Sequence, residues 1–258
     1  MTPQEITTWM HHLCTLAERE TLPRFRTKTQ IDNKLDQGFD PVTEADKAAE
    51  TVIRNAIMQQ FPDHGILGEE HGTHNENAEY CWIIDPIDGT KAFISGLPVW
   101  GTLIGLYKDG TPLAGIMHQP FTEERYFCDG TASYLKHAGG EKKLATSGEN
   151  TVSQAILMST FPYFEDKVQA RFDALRNACK LTRYGTDCYA YCMLASGSID
   201  LVAEYGLATY DIAALIPIIE KAGGIITNWE GGSAAQGGSV LACANKELHI
   251  AALEKLNA

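Results

Sequence analysis

The stretch Asp85-Pro86-Ile87-Asp88-Gly89-Thr90-Lys91 holds two carboxylates three residues apart, separated by a proline and followed by a glycine. Proline fixes its own φ, and glycine lets the backbone turn sharply and approach a ligand closely. A sharp turn here would aim Asp85, Asp88 and the Ile87 carbonyl at one point. It would also leave N–H groups from Gly89 onward open to an anion. Upstream stand Gly68-Glu69-Glu70, and Asp46 lies beside a helix start. Taken singly, each acid could equally be a solvated loop residue. Sharing one site, Asp46, Glu69, Asp85 and Asp88 would repel one another unless cations sat between them. Hard divalent ions with oxygen ligands answer that need, Mg²⁺ first. Zinc fits poorly because it favours His and Cys. His71 and His74 form the rival metal pair, but their polar surroundings mark an exposed loop.

The elements that hold these residues are partly legible. Residues 3–26 read as a helix starting near Pro3. From Ala45, apolar positions 45, 48, 49, 52, 53, 56 and 57 recur at helical spacing. Thr43 stands at the N-cap position with Asp46 three residues on, a capping box using Asp in place of Glu. Phe61-Pro62-Asp63 ends that helix. A polar loop over 71–79 leads into Tyr80-Cys81-Trp82-Ile83-Ile84, a strand expected to stop at Asp85. Strand-like segments follow at 100–107, 112–119, 125–128 and 132–135, with Asp109-Gly110 and Asp129-Gly130 as hairpin signals. Beyond them, extended segments (155–159, 181–184, 199–204, 225–227, 240–243) alternate with helical ones (167–178, 187–196, 210–221, 246–256). The polar stretch 139–151 is the plausible seam between an N-terminal and a C-terminal half. The pattern is mixed α and β, and it implies stacked sheets and helices rather than one doubly wound sheet.

Composition narrows the classes. The chain has 258 residues, with 33 Asp+Glu against 21 Lys+Arg, a net charge of −12. With 44% hydrophobic and 21% charged residues it can bury a large core, so disorder is not its main theme. The acid excess opposes binding to nucleic acid or anionic lipid, which needs Lys and Arg in excess. The seven cysteines are scattered, odd in number and without a CxxC pair. The N-terminal MTPQEITTWMHHLCTLAERE is amphipathic and charged by Glu5, unlike a secretory signal. No apolar run approaches the roughly 20 residues of a membrane span. A cytoplasmic protein with reduced, buried thiols is expected.

Three motifs together carry a resemblance. The run WIIDPIDGT (82–90), GEE at 68–70, and YDIAA (210–214) with EKAGG (220–224) resemble the inositol monophosphatase superfamily in order and spacing. The resemblance covers nearly the whole chain. It implies a layered α/β/α/β/α sandwich of the inositol monophosphatase and fructose-bisphosphatase type, usually a homodimer. That would be a single domain over 1–258, with a metal-binding half to about 145 and a substrate-capping half from about 146. The implied activity is Mg²⁺-dependent, lithium-sensitive phosphomonoester hydrolysis with two or three ions per site. Carried over by position, Glu69, Asp85 and the Ile87 carbonyl would hold a first Mg²⁺. Asp85, Asp88 and Asp211 would hold a second, and Glu69 would assist a third through waters. Gly89 and Thr90 would cradle phosphate, and Thr90, paired with Asp46, would orient the attacking water. Clustered ions activate that water and stabilise attacking and leaving oxygens, and transfer is in line. No covalent phospho-enzyme is needed, so the cysteines and serines are not nucleophiles.

The alcohol portion of the ester must be read elsewhere. The loop from Lys91 to Ile104 resembles the histidinol-phosphate phosphatase branch more than the inositol branch. Asp187 stands where inositol phosphatases usually carry a small residue that meets the alcohol. By the same resemblance Glu204 contacts substrate. Asp187, Glu204 and Asp211 could therefore ring an ammonium group, with Arg183 orienting Asp187 or touching substrate. The blander readings are an Asp187 N-cap for a helix from Cys188, a solvent-facing Glu204, and Tyr184, Tyr189 and Tyr191 as packing. The expected reaction is hydrolysis of L-histidinol phosphate in histidine biosynthesis. The alternatives are an inositol-1-monophosphatase or broad small phosphomonoesterase, then a 3′-phosphoadenosine bisphosphate nucleotidase, and last a non-enzymatic surface-binding role. The partner is a small phosphate ester, with neither membrane nor direct nucleic-acid binding. The polar loop around 31–41, just before Asp46, is expected to shield the site.

Overall fold

The computed structural model describes residues 1–27, 31–33 and 41–258. Helix α1 (Pro3–Thr21) is capped by a Thr2–Glu5 capping box and ends in a 3₁₀ turn at Pro23, earlier than the expected residue 26. Strands β1 (Ile31–Asn33) and β2 (Pro41–Thr43) pair with each other. The rest of the proposed shielding loop, 34–40, lies outside the described residues. Helix α2 (Glu44–Gln60) starts from the predicted Thr43–Asp46 capping box.

An eight-stranded sheet follows. It contains β3 (Gly65–Gly68), β4 (Gly72–His74), β5 (Tyr80–Asp88), β6 (Gly101–Lys108), β7 (Thr111–Gln119), β8 (Glu124–Cys128), β9 (Ser133–His137) and β10 (Gly140–Lys143), in the order β10-β9-β8-β7-β6-β5-β3-β4. The Asp109-Gly110 hairpin forms as predicted, with φ of 49° and 74°, both in the left-handed region that a tight hairpin turn needs. Strands β3, β4 and β10 escape the sequence pattern because they are short and glycine-bounded or fully exposed. A short helix, α3 (Thr90–Ile94), interrupts the run between β5 and β6.

The second half forms a five-stranded sheet. Its elements are β11 (Ile156–Ser159), α4 (Asp166–Ala178), β12 (Leu181–Tyr184), α5 (Asp187–Ala195), β13 (Leu201–Leu207), α6 (Thr209–Ile212), α7 (Leu215–Lys221), β14 (Ile225–Thr227), β15 (Gly238–Cys243) and α8 (Lys246–Leu256). The strand order is β12-β11-β13-β15-β14. The helix expected over 210–221 is split in two. Pro217 offers no N–H to the preceding turn, and the break falls at Ala213-Ala214.

Alternation within the strands explains the layering. Ile104, Ile116 and Phe127 pack under α1 and α2, while their neighbours Leu103, Met117 and Tyr126 face α5 and α7. In the second sheet Val202, Val240 and Ala242 face those same helices, and Leu201, Leu241 and Cys243 face α4 and α8. The result is the five-layered α/β/α/β/α sandwich. The two sheets meet through α5–α7, which must lie close to β7. A Cβ on Gly115 would stand 2.1 Å from the Ala214 carbonyl oxygen. Gly115→Ala should therefore cost about 2–4 kcal/mol of stability, because backbone rather than a movable side chain is in the way. Denaturant unfolding checks this.

Candidate active site

Strand β5 carries the first two acids, and a bulge brings them together. In a regular strand, residues three apart face opposite sides of the sheet. Here Asp85 pairs with Leu103 and Asp88 with Gly101, so β5 holds one extra residue across that interval. A bulge is also where a strand tolerates proline, and Pro86 sits in it with its carbonyl accepting from Thr102 Oγ1 at 2.8 Å. The strand thus continues to Asp88 rather than stopping at Asp85. Asp85 Oδ1 accepts from the Ile87 amide at 3.0 Å, which fixes its rotamer. Gly89 follows with φ of +81° and turns the chain into α3.

Other elements deliver the remaining groups. Asp211, in the first turn of α6, accepts from the Ala208 amide at 2.7 Å. One oxygen each from Asp85, Asp88 and Asp211 lies within 4.8 Å of the others. Glu69 follows β3, its amide bonded to the Ile84 carbonyl at 3.1 Å, and it faces the same cavity. Thr90 Oγ1 lies 3.1 Å from the Ile87 carbonyl and 3.5 Å from Asp46 Oδ1. Asp46 is buried and faces the site at Thr90, while its other oxygen accepts from the Thr43 amide and hydroxyl.

The cavity, about 270 Å³, opens between the two sheets at the C-terminal ends of their parallel pairs, β3/β5 and β11/β13. From the second half, Ser159, Thr160, Asp187, Tyr191, Glu204 and Asp211 line it. Glu204 is buried rather than solvent-facing and accepts from the Thr160 amide at 2.8 Å and hydroxyl at 2.6 Å. Asp187 is not the N-cap of α5. It has φ of +41°, and the Cys188 amide donates instead to Asp88 Oδ2 at 2.7 Å. Asp88, a hundred residues away in sequence, thus satisfies the start of α5. The Asp187 side chain rests against Gly89, where a Cβ would stand 3.0 Å from it.

Arg183 is exposed on edge strand β12 and does not line the cavity. Tyr184 packs near Phe172, and the Tyr189 hydroxyl donates to Glu124, as the packing reading expected. Tyr191 differs. Its hydroxyl is buried with no hydrogen-bond partner among the described residues. Helix α5 is apolar on most sides, so no stripe in the sequence singles out that face. His71 and His74 are exposed, and His71 Nε2 lies 3.0 Å from Thr51 Oγ1.

Electrostatics sharpen the picture. Burial, then the charges of Glu69, Asp88 and Asp211, pushes the Asp85 carboxyl well up. Asp88 is raised by burial and by Asp211 and Asp187. Burial lifts Asp187 to about 6 and Glu204 to about 7. The strongest charges acting on Asp85 and Asp88 are other carboxylates. A converging set of hard oxygen donors with unrelieved mutual repulsion suits Mg²⁺.

The inositol monophosphatase family matches the chain over residues 3–258. The chain is 42% identical over 244 residues to the bifunctional phosphatase IMPL2, chloroplastic, of Arabidopsis thaliana, covering 90% of this chain and 69% of that protein. It is 35% identical over 233 residues to a histidinol-phosphatase of Mycobacterium tuberculosis, covering 89% and 88%. Among solved structures, an inositol monophosphatase from Zymomonas mobilis superposes with a TM-score of 0.87 at 37% identity, over 99% of this chain and 98% of that one. This chain therefore belongs to the inositol monophosphatase family, a family of phosphoric monoester hydrolases.

A pH test follows for the metal-free protein. Glu204 is raised from 4.5 to about 7, so between those values the folded chain holds a proton that the unfolded chain releases. That stabilisation is complete at low pH and is lost as pH rises through about 7. His11, pulled down to about 4 by burial, acts in the opposite sense, so the comparison must be with a variant that shares it. In EDTA, moving from pH 8 to 6 should stabilise the parent by about 1 kcal/mol more than Glu204→Gln. Thermal unfolding at the two pH values reads the difference.

Proposed function

We propose that the protein is a Mg²⁺-dependent phosphatase that hydrolyses L-histidinol phosphate to L-histidinol and phosphate. One observation carries the choice of ester: the half-buried Asp187 and the buried Glu204 line the same cavity as the Asp85–Asp88–Asp211 cluster. An ester with a phosphate at one end and an ammonium group at the other matches both ends. Cationic substrate would also restore the charge that burial suppresses on Asp187 and Glu204. The relatives named as histidinol-phosphatases support this reading. A second reading, inositol-1-phosphate, is favoured by the Zymomonas mobilis neighbour. A neutral polyol would gain only ordinary hydrogen bonds from the two acids.

Glu69, Asp85, Asp88, Asp211 and the Ile87 carbonyl would hold two or three Mg²⁺ ions. When bound, such ions neutralise the ester dianion and acidify the attacking water. The chain's own groups do the rest. Gly89 and Thr90 hold the phosphate. Thr90 directs its proton to the Ile87 carbonyl or to Asp46, leaving its lone pairs to accept from the water and orient it. Glu204, fixed by Thr160, and Asp187, fixed against Gly89, receive the ammonium. Arg183 takes no part. We extend the reading to a lithium-sensitive cytoplasmic homodimer. The seven free thiols suit a reducing compartment, and among the described residues no helix is long and apolar enough to cross a membrane.

Phosphate release from histidinol phosphate, inositol-1-phosphate and 3′-phosphoadenosine 5′-phosphate, side by side with Mg²⁺, tests the substrate. Histidinol phosphate should lead, and a preference for inositol-1-phosphate would overturn the reading. Asp187→Asn, which tolerates positive φ, should lower kcat/KM on histidinol phosphate by roughly 10–100-fold and barely change the neutral ester. Asp88→Asn should reduce turnover of every ester by about 10³-fold or more.

A further inference from the structure

Helix α2 buries two acids on a face where the sheet offers apolar neighbours. Asp46 and Glu50 are fully buried beside Ala45, Ala49, Ile53 and Ile57, while Ala48 and Val52, expected in the apolar stripe, are only half-buried. Asp46, Glu50 and Arg54 stand at i, i+4 and i+8, one line along the helix. One end of that line faces the active site, and the rest holds the turn that follows Glu69. At the N-terminal end, Asp46 Oδ1 faces Thr90 Oγ1 at 3.5 Å. Further along, Glu50 accepts from the Glu70 amide at 2.7 Å and the His71 amide at 3.1 Å. Arg54 Nη1 pairs with Glu50 at 3.3 Å and donates to the Gly72 carbonyl at 2.8 Å.

The turn that carries Glu69 is therefore anchored on both sides. The Glu69 amide is tied to β5 through the Ile84 carbonyl, and the next two amides are tied to Glu50. The fit is close, because a Cβ on Gly68 would meet Glu50 Oε1 at 2.0 Å. Burying a carboxylate is unfavourable unless donors surround it, and an apolar side chain would pack α2 at least as well. Here the Glu70 and His71 amides and Arg54 supply those donors, so the acid at position 50 serves the turn after Glu69 rather than the apolar packing of α2.

We propose that Glu50, braced by Arg54, is a positioning residue: it sets the Glu69 turn against Asp85, so that α2 holds the cation-binding carboxylates in register with the Asp46–Thr90 pair. The inference rests on the reading of Glu69 as a cation ligand and of Thr90 as the group that orients water. Glu50 itself touches neither substrate nor cation. It acts through the backbone of residues 70 and 71. Supporting groups of this kind typically change metal affinity by 10–100-fold when removed.

Calorimetric titration of the folded, EDTA-stripped protein with Mg²⁺ tests this without using turnover. Glu50→Ala should raise the Mg²⁺ Kd roughly 10-fold or more, and Glu50→Gln, which keeps one acceptor oxygen for the turn, should fall between it and the parent. Thermal unfolding in EDTA separates a general loss of stability from a displaced turn. If Glu50→Ala does not fold, Glu50→Gln and Arg54→Lys carry the test. Glu69→Gln is the reference. If Glu69→Gln weakens Mg²⁺ binding while the Glu50 and Arg54 variants leave Kd within twofold, Glu50 is merely structural and the inference is overturned. If Glu69→Gln leaves Kd unchanged, the reading of Glu69 falls and takes the inference with it.

Discussion

Repulsion between carboxylates is the constraint around which the rest of the structure is arranged. Three oxygens, from the buried Asp85 and the half-buried Asp88 and Asp211, are held within 4.8 Å, where partial burial thins the water that would otherwise screen them. Chain flexibility does not relieve the crowding. A bulge in β5, the Ile87 amide on Asp85, the Cys188 amide on Asp88 and the Ala208 amide on Asp211 each hold one acid in place. A site built this rigidly around like charges suits cations, and in the proposed reaction bound Mg²⁺ would serve phosphoryl transfer directly.

The same contacts join the two halves. Asp88 belongs to the first sheet yet satisfies the start of α5 in the second half. Asp187, the neighbouring residue on α5, sits over Gly89. The acid cluster and the acidic end of the cavity are thus coupled by backbone geometry, and a displacement of α5 would disturb both. Placing the cavity at the C-terminal ends of two parallel strand pairs lets loops from four strands reach it while the strands stay buried.

Local signals were legible and tertiary ones were not. The Thr43–Asp46 capping box, the Asp109-Gly110 hairpin and the 181–184, 225–227 and 246–256 segments follow from residue type and spacing, and they appear as read. Motif order points to the acids at 69, 85, 88 and 211, and the structure brings all four to one cavity. The bulge was missed because Pro86 reads as a strand end unless the partner β6 is known. Asp187 looked like a cap because nothing near it in sequence shows that Asp88 takes that role. Glu50 was passed over because an acid in a helix reads as a solvated face, and only the approach of Gly68 turns it inward. Arg183 was included by proximity to Asp187, but strand alternation points it outward.

Thermal unfolding at neutral pH, with and without Mg²⁺, reaches the central claim most directly when the parent is compared with Asp88→Asn. Asn keeps an acceptor for the Cys188 amide and removes one charge from the cluster. Mg²⁺ at about 100 times its Kd should stabilise the parent by about 2.7 kcal/mol, a rise of several degrees in Tm. Asp88→Asn should unfold at a higher temperature than the parent in EDTA and gain much less from Mg²⁺. A parent that is indifferent to Mg²⁺, or a variant no more stable than the parent without it, would contradict the claim that cations resolve the repulsion at this site.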